Sequence, residues 1–183
     1  MQSVDQTPDP PANQPPPFQI HGVLVRVLDT GVLMVGESGS GKSQCAFDLI
    51  RKGYQLVADD VVEVFEKDGC QWGRPTDFTR GLMEIRGMGI VDVGRMLGED
   101  VLCPESTIDL YVEISESPAV DRFGAVKHEH TLGNHTLPKF VFPSRSAGGL
   151  ASLIVEAVQR LSVGNETSTA VVEQGDQLQF SQQ

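Results

Sequence analysis

Short runs of aliphatic and β-branched residues, separated by turn residues, predict strands through the middle of the chain. The runs at 23–28 and 32–35 are separated by Asp29-Thr30-Gly31, which indicates two strands joined by a tight connection. Further strands are predicted at 55–58, 61–66, 108–114 and 139–142.

Two segments carry apolar residues at helical spacing. Between Lys42 and Gly53 the chain has no glycine or proline, and its apolar residues fall on one helical face. From Leu150 to Leu161 the apolar residues recur at i, i+3, i+4 and i+7, as in an amphipathic helix. Because strand and helix signals interleave, the pattern predicts an α/β fold.

The two ends of the chain differ in composition from the middle. Residues 1–18 hold six of the eleven prolines and almost nothing apolar, which predicts a disordered, Pro-rich arm. Residues 165–183 are mostly polar and are expected to form a largely disordered tail. The remaining residues, 19–164, are expected to form one catalytic domain, as the length of 183 residues allows.

The charge balance is acidic, with 14 Lys and Arg against 25 Asp and Glu and a net charge of −11. Such a chain lacks the basic surface that nucleic acids or anionic membranes attract, so neither is expected as a partner. No apolar run is long enough to span a bilayer and no signal-peptide pattern opens the chain. We therefore expect a cytoplasmic protein, whose three widely spaced cysteines are reduced.

A glycine-rich segment after the second strand fits the phosphate-loop pattern G-x-x-x-x-G-K-[ST]. It reads Gly36-Glu37-Ser38-Gly39-Ser40-Gly41-Lys42-Ser43, and it precedes a predicted helix, as the mechanism requires. Backbone N–H groups of such a loop surround phosphates, the lysine reaches the β- and γ-phosphates, and the serine hydroxyl binds Mg²⁺. The segment therefore predicts a nucleotide site.

Two adjacent carboxylates, Asp59 and Asp60, follow the strand at 55–58. At the end of a strand beside a phosphate loop, one could hold Mg²⁺ and the other could accept a proton from an incoming hydroxyl. A solvated turn would also explain the pair, because Asp is common in turns.

The run from Glu84 to Val93 combines a carboxylate, a guanidinium and a Gly-x-Gly turn. Glu84 could complete a metal shell, Arg86 could neutralise charge on the transferred group, and Asp92 is a further candidate. An ordinary ion pair in a strand-to-turn link explains the run equally well.

Three histidines, His128, His130 and His135, fall in a segment predicted to be an exposed polar loop. The alternation of His128 and His130 hints at metal binding. Because no cysteine or carboxylate stands at ligand spacing, no metal is assigned to them.

Taken together, these segments resemble the HPr kinase/phosphorylase family. The similarity runs through residues 21–25, the phosphate loop, 56–60, the decapeptide 84–93 and Asp121-Arg122-Phe123-Gly124, nearly everything between the tails. The resemblance implies an ATP- and Mg²⁺-dependent kinase acting on a serine of HPr, the phosphocarrier protein of the bacterial sugar phosphotransferase system. It also implies a P-loop kinase domain similar to the nucleotide-binding part of phosphoenolpyruvate carboxykinase, with a mixed central sheet and flanking helices, and a homo-hexamer.

The resemblance also implies roles for individual residues. The catalytic residues would be His21, Lys42, Asp60 and Arg122, with Asp60 as the proton acceptor, and the metal ligands would be Ser43 and Glu84. For His21 and Arg122 the resemblance is the whole argument.

The chain departs from the family pattern in two places. Only the Pro-rich arm precedes His21, as in short members that consist of the kinase domain alone. The family's dephosphorylation segment typically carries two basic residues, whereas here Arg145 is present and Gly148 takes the second place. Since a guanidinium anchors phosphate, we expect weak or absent phosphorylase activity.

Two alternatives to an HPr kinase stay open at this point. The same site chemistry could serve a different protein or a small-molecule acceptor, because fold and site do not fix the substrate. A nucleotide-dependent regulatory protein without transfer activity is the other alternative. The donor is also open, because no adenine-reading motif is present.

Overall fold

The computed structural model describes residues 15–116, 128–144 and 149–175, with side chains as far as Val163 in the last helix. The strands are β1 Phe18–His21, β2 Val23–Val27, β3 Thr30–Gly36, β4 Gln55–Ala58, β5 Val61–Lys67, β6 Cys70–Pro75, β7 Leu82–Ile85, β8 Gly89–Asp92, β9 Ser106–Thr107, β10 Leu110–Ser115, β11 His128–Leu132 and β12 His135–Pro143. The helices are α1 Lys42–Ile50, α2 Val93–Leu97 and α3 Leu150–Gly175, with a 3₁₀ turn at Glu99–Val101.

A six-stranded mixed sheet, in the order β11-β12-β10-β3-β2-β4, forms the centre of the fold. β3, β10 and β12 are parallel, and β2 is antiparallel to both β3 and β4. β4 therefore runs in the same direction as β3. The carboxyl ends of β3, β4 and β10 consequently meet at one edge of the sheet, which is where α/β sheets bind ligands.

The two faces of this sheet are covered by different layers. Alternate residues of β2, such as Val23 and Val25, face a core shared with α1 and α3, whereas Leu24 faces a second core. The second core lies against a four-stranded antiparallel sheet, β1-β5-β6-β9, which contributes Val62 and Val64. Burying both faces explains why the central strands read as continuous apolar runs.

A separate hairpin, β7-β8, packs beside α1. Met83 and Ile85 of β7 are buried in the core of the helical layer, and the hairpin turns after Ile85. The short helix α2 follows directly, with Asp92 as its N-cap. The decapeptide singled out in the sequence is therefore a hairpin whose turn can approach other loops.

The structure confirms the α/β class, the mixed central sheet and both predicted helices. Among the described residues the helices pack on one face of this sheet, and the second sheet covers the other. The similarity to phosphoenolpyruvate carboxykinase stays a prediction. In the described part of the chain, no helix is long and apolar enough to cross a membrane.

Two local predictions were wrong. The three histidines do not lie in a loop: they belong to the hairpin β11-β12, in which the ring of His130 stacks on Tyr111 of β10, with ring centroids 3.7 Å apart. Burial of the ring and the nearby Lys139 charge lower the pKa of His130. The predicted strand at 23–28 is not the first in the chain, because β1 precedes it, ends at His21 and pairs with β5.

The predicted domain ends can be compared with the strands and helices. Phe18, assigned to the arm, is the first residue of β1 and pairs with Val64. α3 stays helical to Gly175, past Asn165, where the polar tail was expected to begin. The disorder of the arm and the tail stays a prediction.

Candidate active site

The phosphate loop joins β3 to α1 and depends on its glycines. Gly36, Gly39 and Gly41 have φ values of 149°, 80° and 99°, which other residues rarely adopt. A Cβ atom at Gly36 would also lie 2.3 Å from the Ile114 carbonyl oxygen of β10. Glycine is therefore required where the loop leaves the sheet.

Lys42 folds back into this loop. Its Nζ atom donates to the carbonyl oxygens of Gly36 at 2.8 Å and Glu37 at 2.9 Å, and the residue is only 7% exposed. Burial lowers the pKa of Lys42, and the nearby charges of Asp59 and Asp60 oppose that shift. The ammonium is thus held at the loop's centre, where phosphates would supply better acceptors than carbonyls.

Asp59 is the buried carboxylate of the site, at 3% exposure. Its Oδ1 accepts a hydrogen bond from the Ser43 hydroxyl at 2.9 Å, and its Oδ2 accepts one from the Glu84 backbone N–H at 3.2 Å. Burial raises the pKa of Asp59, and these hydrogen bonds lower it in part. One carboxylate therefore ties β4, α1 and the β7-β8 hairpin together.

Asp60, unlike Asp59, is exposed. Its Oδ1 lies 3.1 Å from Nδ1 of His21, and its carbonyl oxygen accepts from the Gly22 N–H at 3.0 Å. Its φ of 70° turns the chain sharply between β4 and β5, a conformation that Asp and Asn tolerate better than most residues. The side chain is thereby presented to solvent beside the phosphate loop.

The hairpin turn brings Arg86 to the phosphate loop. A Cβ atom built on Gly39 would lie 4.0 Å from an Nη atom of Arg86, so the guanidinium lies over the loop. Glu84 is an exposed residue of β7, and its backbone rather than its side chain contacts Asp59. The run is therefore a strand and a turn, and that turn positions a cation beside the phosphate site.

The oxygen donors of the site fit Mg²⁺. The Ser43 hydroxyl and the Asp59 carboxylate lie in hydrogen-bond contact, and Mg²⁺ is usually held by one or two protein oxygens together with phosphates and water. In residues 15–116, 128–144 and 149–175, no three His, Cys, Asp or Glu side chains form a metal cage. An ion here would need the nucleotide to complete its shell.

This arrangement matches a known family over most of the chain. The family model described as the HPr serine kinase C-terminal domain matches residues 15–177. The chain belongs to this family.

Individual members of the HPr kinase family are similar over the same region. An HPr kinase/phosphorylase of Streptococcus equi subsp. zooepidemicus is 39% identical over 142 residues, 75% of this chain and 46% of the relative. An HPr kinase/phosphorylase of Streptococcus thermophilus is 37% identical over the same length. The chain spans about half the length of these curated relatives.

A solved structure shares the fold. The HPr(Ser) kinase/phosphatase from Coxiella burnetii superimposes with a TM-score of 0.74 at 26% identity, covering 81% of this chain and 99% of that one. The fold of most of this chain therefore also occurs in a protein of the HPr kinase family.

The candidate site residues of the sequence fall into three groups. His21, Lys42, Ser43, Asp60 and the backbone of Glu84 meet at one edge of the central sheet. Asp92 serves locally, because its carboxylate accepts from the Arg95 N–H and lies 3.2 Å from Nε of the Arg95 guanidinium. Arg122 and Arg145 lie outside the described residues.

Sequence reasoning missed one functional contact, the anchoring of Asp59 by the Glu84 N–H. A backbone donor leaves no trace in residue identity, so no motif could have indicated it. The acidic character of Glu84 pointed to its side chain instead.

Proposed function

We propose that this protein is a Mg²⁺- and ATP-dependent serine kinase whose acceptor is the phosphocarrier protein HPr or a close relative. The observation that carries the proposal is the convergence of Lys42, the Ser43–Asp59 pair and the Asp60–His21 pair at one sheet edge. Membership of the HPr kinase family supports the choice of acceptor.

The donor phosphates would be bound by the loop and Lys42. The backbone N–H groups of the loop would donate hydrogen bonds, and the Lys42 ammonium would supply positive charge. Both would stabilise the charge on a transferred phosphoryl group. Ser43, Asp59 and Glu84 would hold Mg²⁺, which would supply positive charge to neutralise the phosphates. The Arg86 guanidinium, which lies close to Gly39, would add a second cation at the loop.

Asp60 would accept the proton of the acceptor serine. It is exposed and so open to an incoming protein, whereas Asp59 is enclosed by Ser43 and Glu84. His21 would act as a positioning residue, because its Nδ1 atom holds the Asp60 carboxylate from one side. The two carboxylates would thus divide metal binding from proton transfer.

The proposal includes the wider role of the protein. It would act in the cytoplasm as a homo-hexamer and regulate carbon metabolism through the phosphotransferase system. Phosphorylase activity would be weak or absent, because Gly148 stands where the family typically has a second basic residue after Arg145.

Intact-mass spectrometry tests this function. HPr from the same organism is incubated with MgATP and the wild-type protein, the Lys42→Ala variant or the Lys52→Ala variant. Lys52 is a matched control because it is exposed and bonds to Ser152, away from the loop. We expect one phosphoryl group on a serine of HPr with wild type and Lys52→Ala, and none with Lys42→Ala.

The same assay separates the alternatives. ATP binding without any gain of mass on HPr would overturn HPr as the acceptor and favour another acceptor or a regulatory role. Adding inorganic phosphate to phosphorylated HPr then tests reversal, and substantial pyrophosphate release would contradict the proposed loss of phosphorylase activity.

A further inference from the structure

A polar cavity lies beside the phosphate loop, on the side away from the Asp pair. Its volume is about 280 Å³, and it is lined by the first residues of the loop and the carboxyl end of β10. Three of its lining residues are glutamates, Glu37, Glu113 and Glu116. None of these residues belongs to the acid pair or the metal site described above.

Strand order places this cavity opposite the proton acceptor. β3, which carries the loop, lies between β10 on one side and β2 and β4 on the other. Asp60 follows β4, whereas the cavity lies at the end of β10. In phosphoryl transfer the attacking and leaving oxygens are roughly in line. An acceptor hydroxyl that attacks from the Asp60 side therefore leaves the departing nucleoside diphosphate on the β10 side.

The chemistry of the cavity suits a sugar better than a phosphate. Glu113 is paired with Lys139, whose Nζ lies 2.6 Å away, and no cationic side chain lines the cavity among the described residues. Three carboxylates repel phosphate oxygens, but carboxylates accept hydrogen bonds from ribose hydroxyls in nucleotide-binding proteins.

A buried hydroxyl at the same place also lacks a partner. Ser40 lines the cavity and is 5% exposed, and its Oγ atom has no hydrogen-bond partner in the part of the chain that the structure describes. Buried polar atoms are almost always satisfied, and an orphaned one calls for an explanation.

We propose that this cavity binds the ribose of the ATP donor, with Glu113 and Glu116 accepting hydrogen bonds from its hydroxyl groups. The inference rests on the proposed function, since it concerns the same donor. It assigns to this chain a recognition element for the nucleoside although no adenine-reading motif is present.

Equilibrium binding by titration calorimetry tests the assignment without an acceptor protein. The ligands are the Mg²⁺ complexes of ATP, 2′-deoxy-ATP, 3′-deoxy-ATP and tripolyphosphate. The proteins are wild type, Glu113→Ala, Glu116→Ala and the control Glu129→Ala. Glu129 is exposed on β11, which is separated from β10 by β12.

We expect wild type and Glu129→Ala to bind ATP about tenfold more tightly than at least one deoxy analogue, the order of a charge-assisted hydrogen bond. Glu116→Ala or Glu113→Ala should remove that preference while leaving the affinity for tripolyphosphate unchanged. A variant that had simply misfolded would lose tripolyphosphate as well.

Two results would overturn this assignment alone. Equal affinity of wild type for ATP and both deoxy analogues would exclude ribose recognition while leaving the kinase proposal intact. An unchanged preference in both cavity variants would place ribose recognition elsewhere. Failure of wild type to bind either ATP or tripolyphosphate would instead overturn the nucleotide site itself, and with it both proposals.

Discussion

The Ser43 hydroxyl donates a 2.9 Å hydrogen bond to the Asp59 carboxylate across sixteen positions of sequence. Ser43 belongs to the first turn of α1, and Asp59 follows β4, so the bond fixes the phosphate loop relative to the acid pair. The bond holds two oxygen atoms together that could both be ligands of a phosphate-bound Mg²⁺. Asp59 is also buried, so its replacement has consequences for stability as well as activity.

Replacing Asp59 by Asn should stabilise the fold near neutral pH and abolish phosphoryl transfer. Asn can keep both hydrogen bonds, because the Ser43 hydroxyl can accept from the new amide and the Glu84 N–H can still donate. The desolvated charge is removed, which we expect to raise stability by about 1 kcal/mol and the melting temperature by about 3 °C.

The pH dependence of that stabilisation has a defined sign. Since burial raises the pKa of Asp59 above its ordinary value of 3.8, the unfolded chain loses its proton first as the pH rises. Wild type therefore loses stability between that ordinary value and the raised folded value, and Asp59→Asn does not. Calorimetric melting across this range should show the difference shrinking towards acid. A constant difference would contradict the assignment of the penalty to charge burial.

Replacing Asp60 by Asn should remove catalysis without harming the fold. Asn adopts a φ of 70° as readily as Asp, so we expect stability to change by less than about 0.5 kcal/mol. Loss of the proton acceptor should lower kcat by about 10²- to 10⁴-fold. Asp68→Asn is the matched control, since Asp68 is also an exposed Asp with a positive φ, 53°. Equal activity of Asp60→Asn and Asp68→Asn would exclude the proposed role.

Replacing His21 by Ala should produce a smaller and more selective defect. The Nδ1 contact at 3.1 Å orients Asp60 and does not reach the phosphate loop. Losing one hydrogen bond to a charged group should lower kcat about tenfold and leave the KM for ATP unchanged. Steady-state kinetics at saturating HPr would show this. An equal rise in KM for ATP would indicate that His21 binds the nucleotide instead.

Replacing Gly31 by Ala should unfold or severely destabilise the protein. A Cβ atom there would lie 1.6 Å from the backbone oxygen of Thr107, because the start of β3 and the end of β9 approach closely. We expect a loss of about 3 kcal/mol or more, measured by urea denaturation. Gly53→Ala is the comparison: it has open space but a φ of 93°, so only about 1 kcal/mol of conformational strain is expected. Similar losses for both variants would refute the steric explanation.

Local patterns were enough to predict most of the helical layer and the phosphate loop. The hairpin of β2 and β3 and the helices α1 and α3 follow from apolar spacing within each segment. The phosphate loop is a contiguous motif, so the contacts of Lys42 with the carbonyls of Gly36 and Glu37 arise within seven residues. Such features depend on neighbours along the chain, which the sequence displays directly.

Features that depend on residues far apart were predicted poorly. The segment containing His128 and His130 was predicted to be a loop because its residues are mostly polar. It is a strand, β11, which pairs with β12 and is stabilised by stacking of His130 on Tyr111 of β10. β1 escaped notice because it is an edge strand, completed only by β5 some forty residues later. In both cases pairing across the sheet outweighs local preference.

The candidate site shows the same contrast between features set by neighbouring residues and features set by residues far apart in the sequence. Residue identity by itself determined which groups could do the chemistry: the lysine and serine of the loop, the Asp pair, and the decapeptide that resembles the HPr kinase family. Only the tertiary structure decided their division of labour, burying Asp59 against Ser43 and the Glu84 backbone while leaving Asp60 exposed beside His21. Two adjacent aspartates are equivalent in a sequence, and they become different when the chain turns between them and only one side chain is enclosed by other strands and helices.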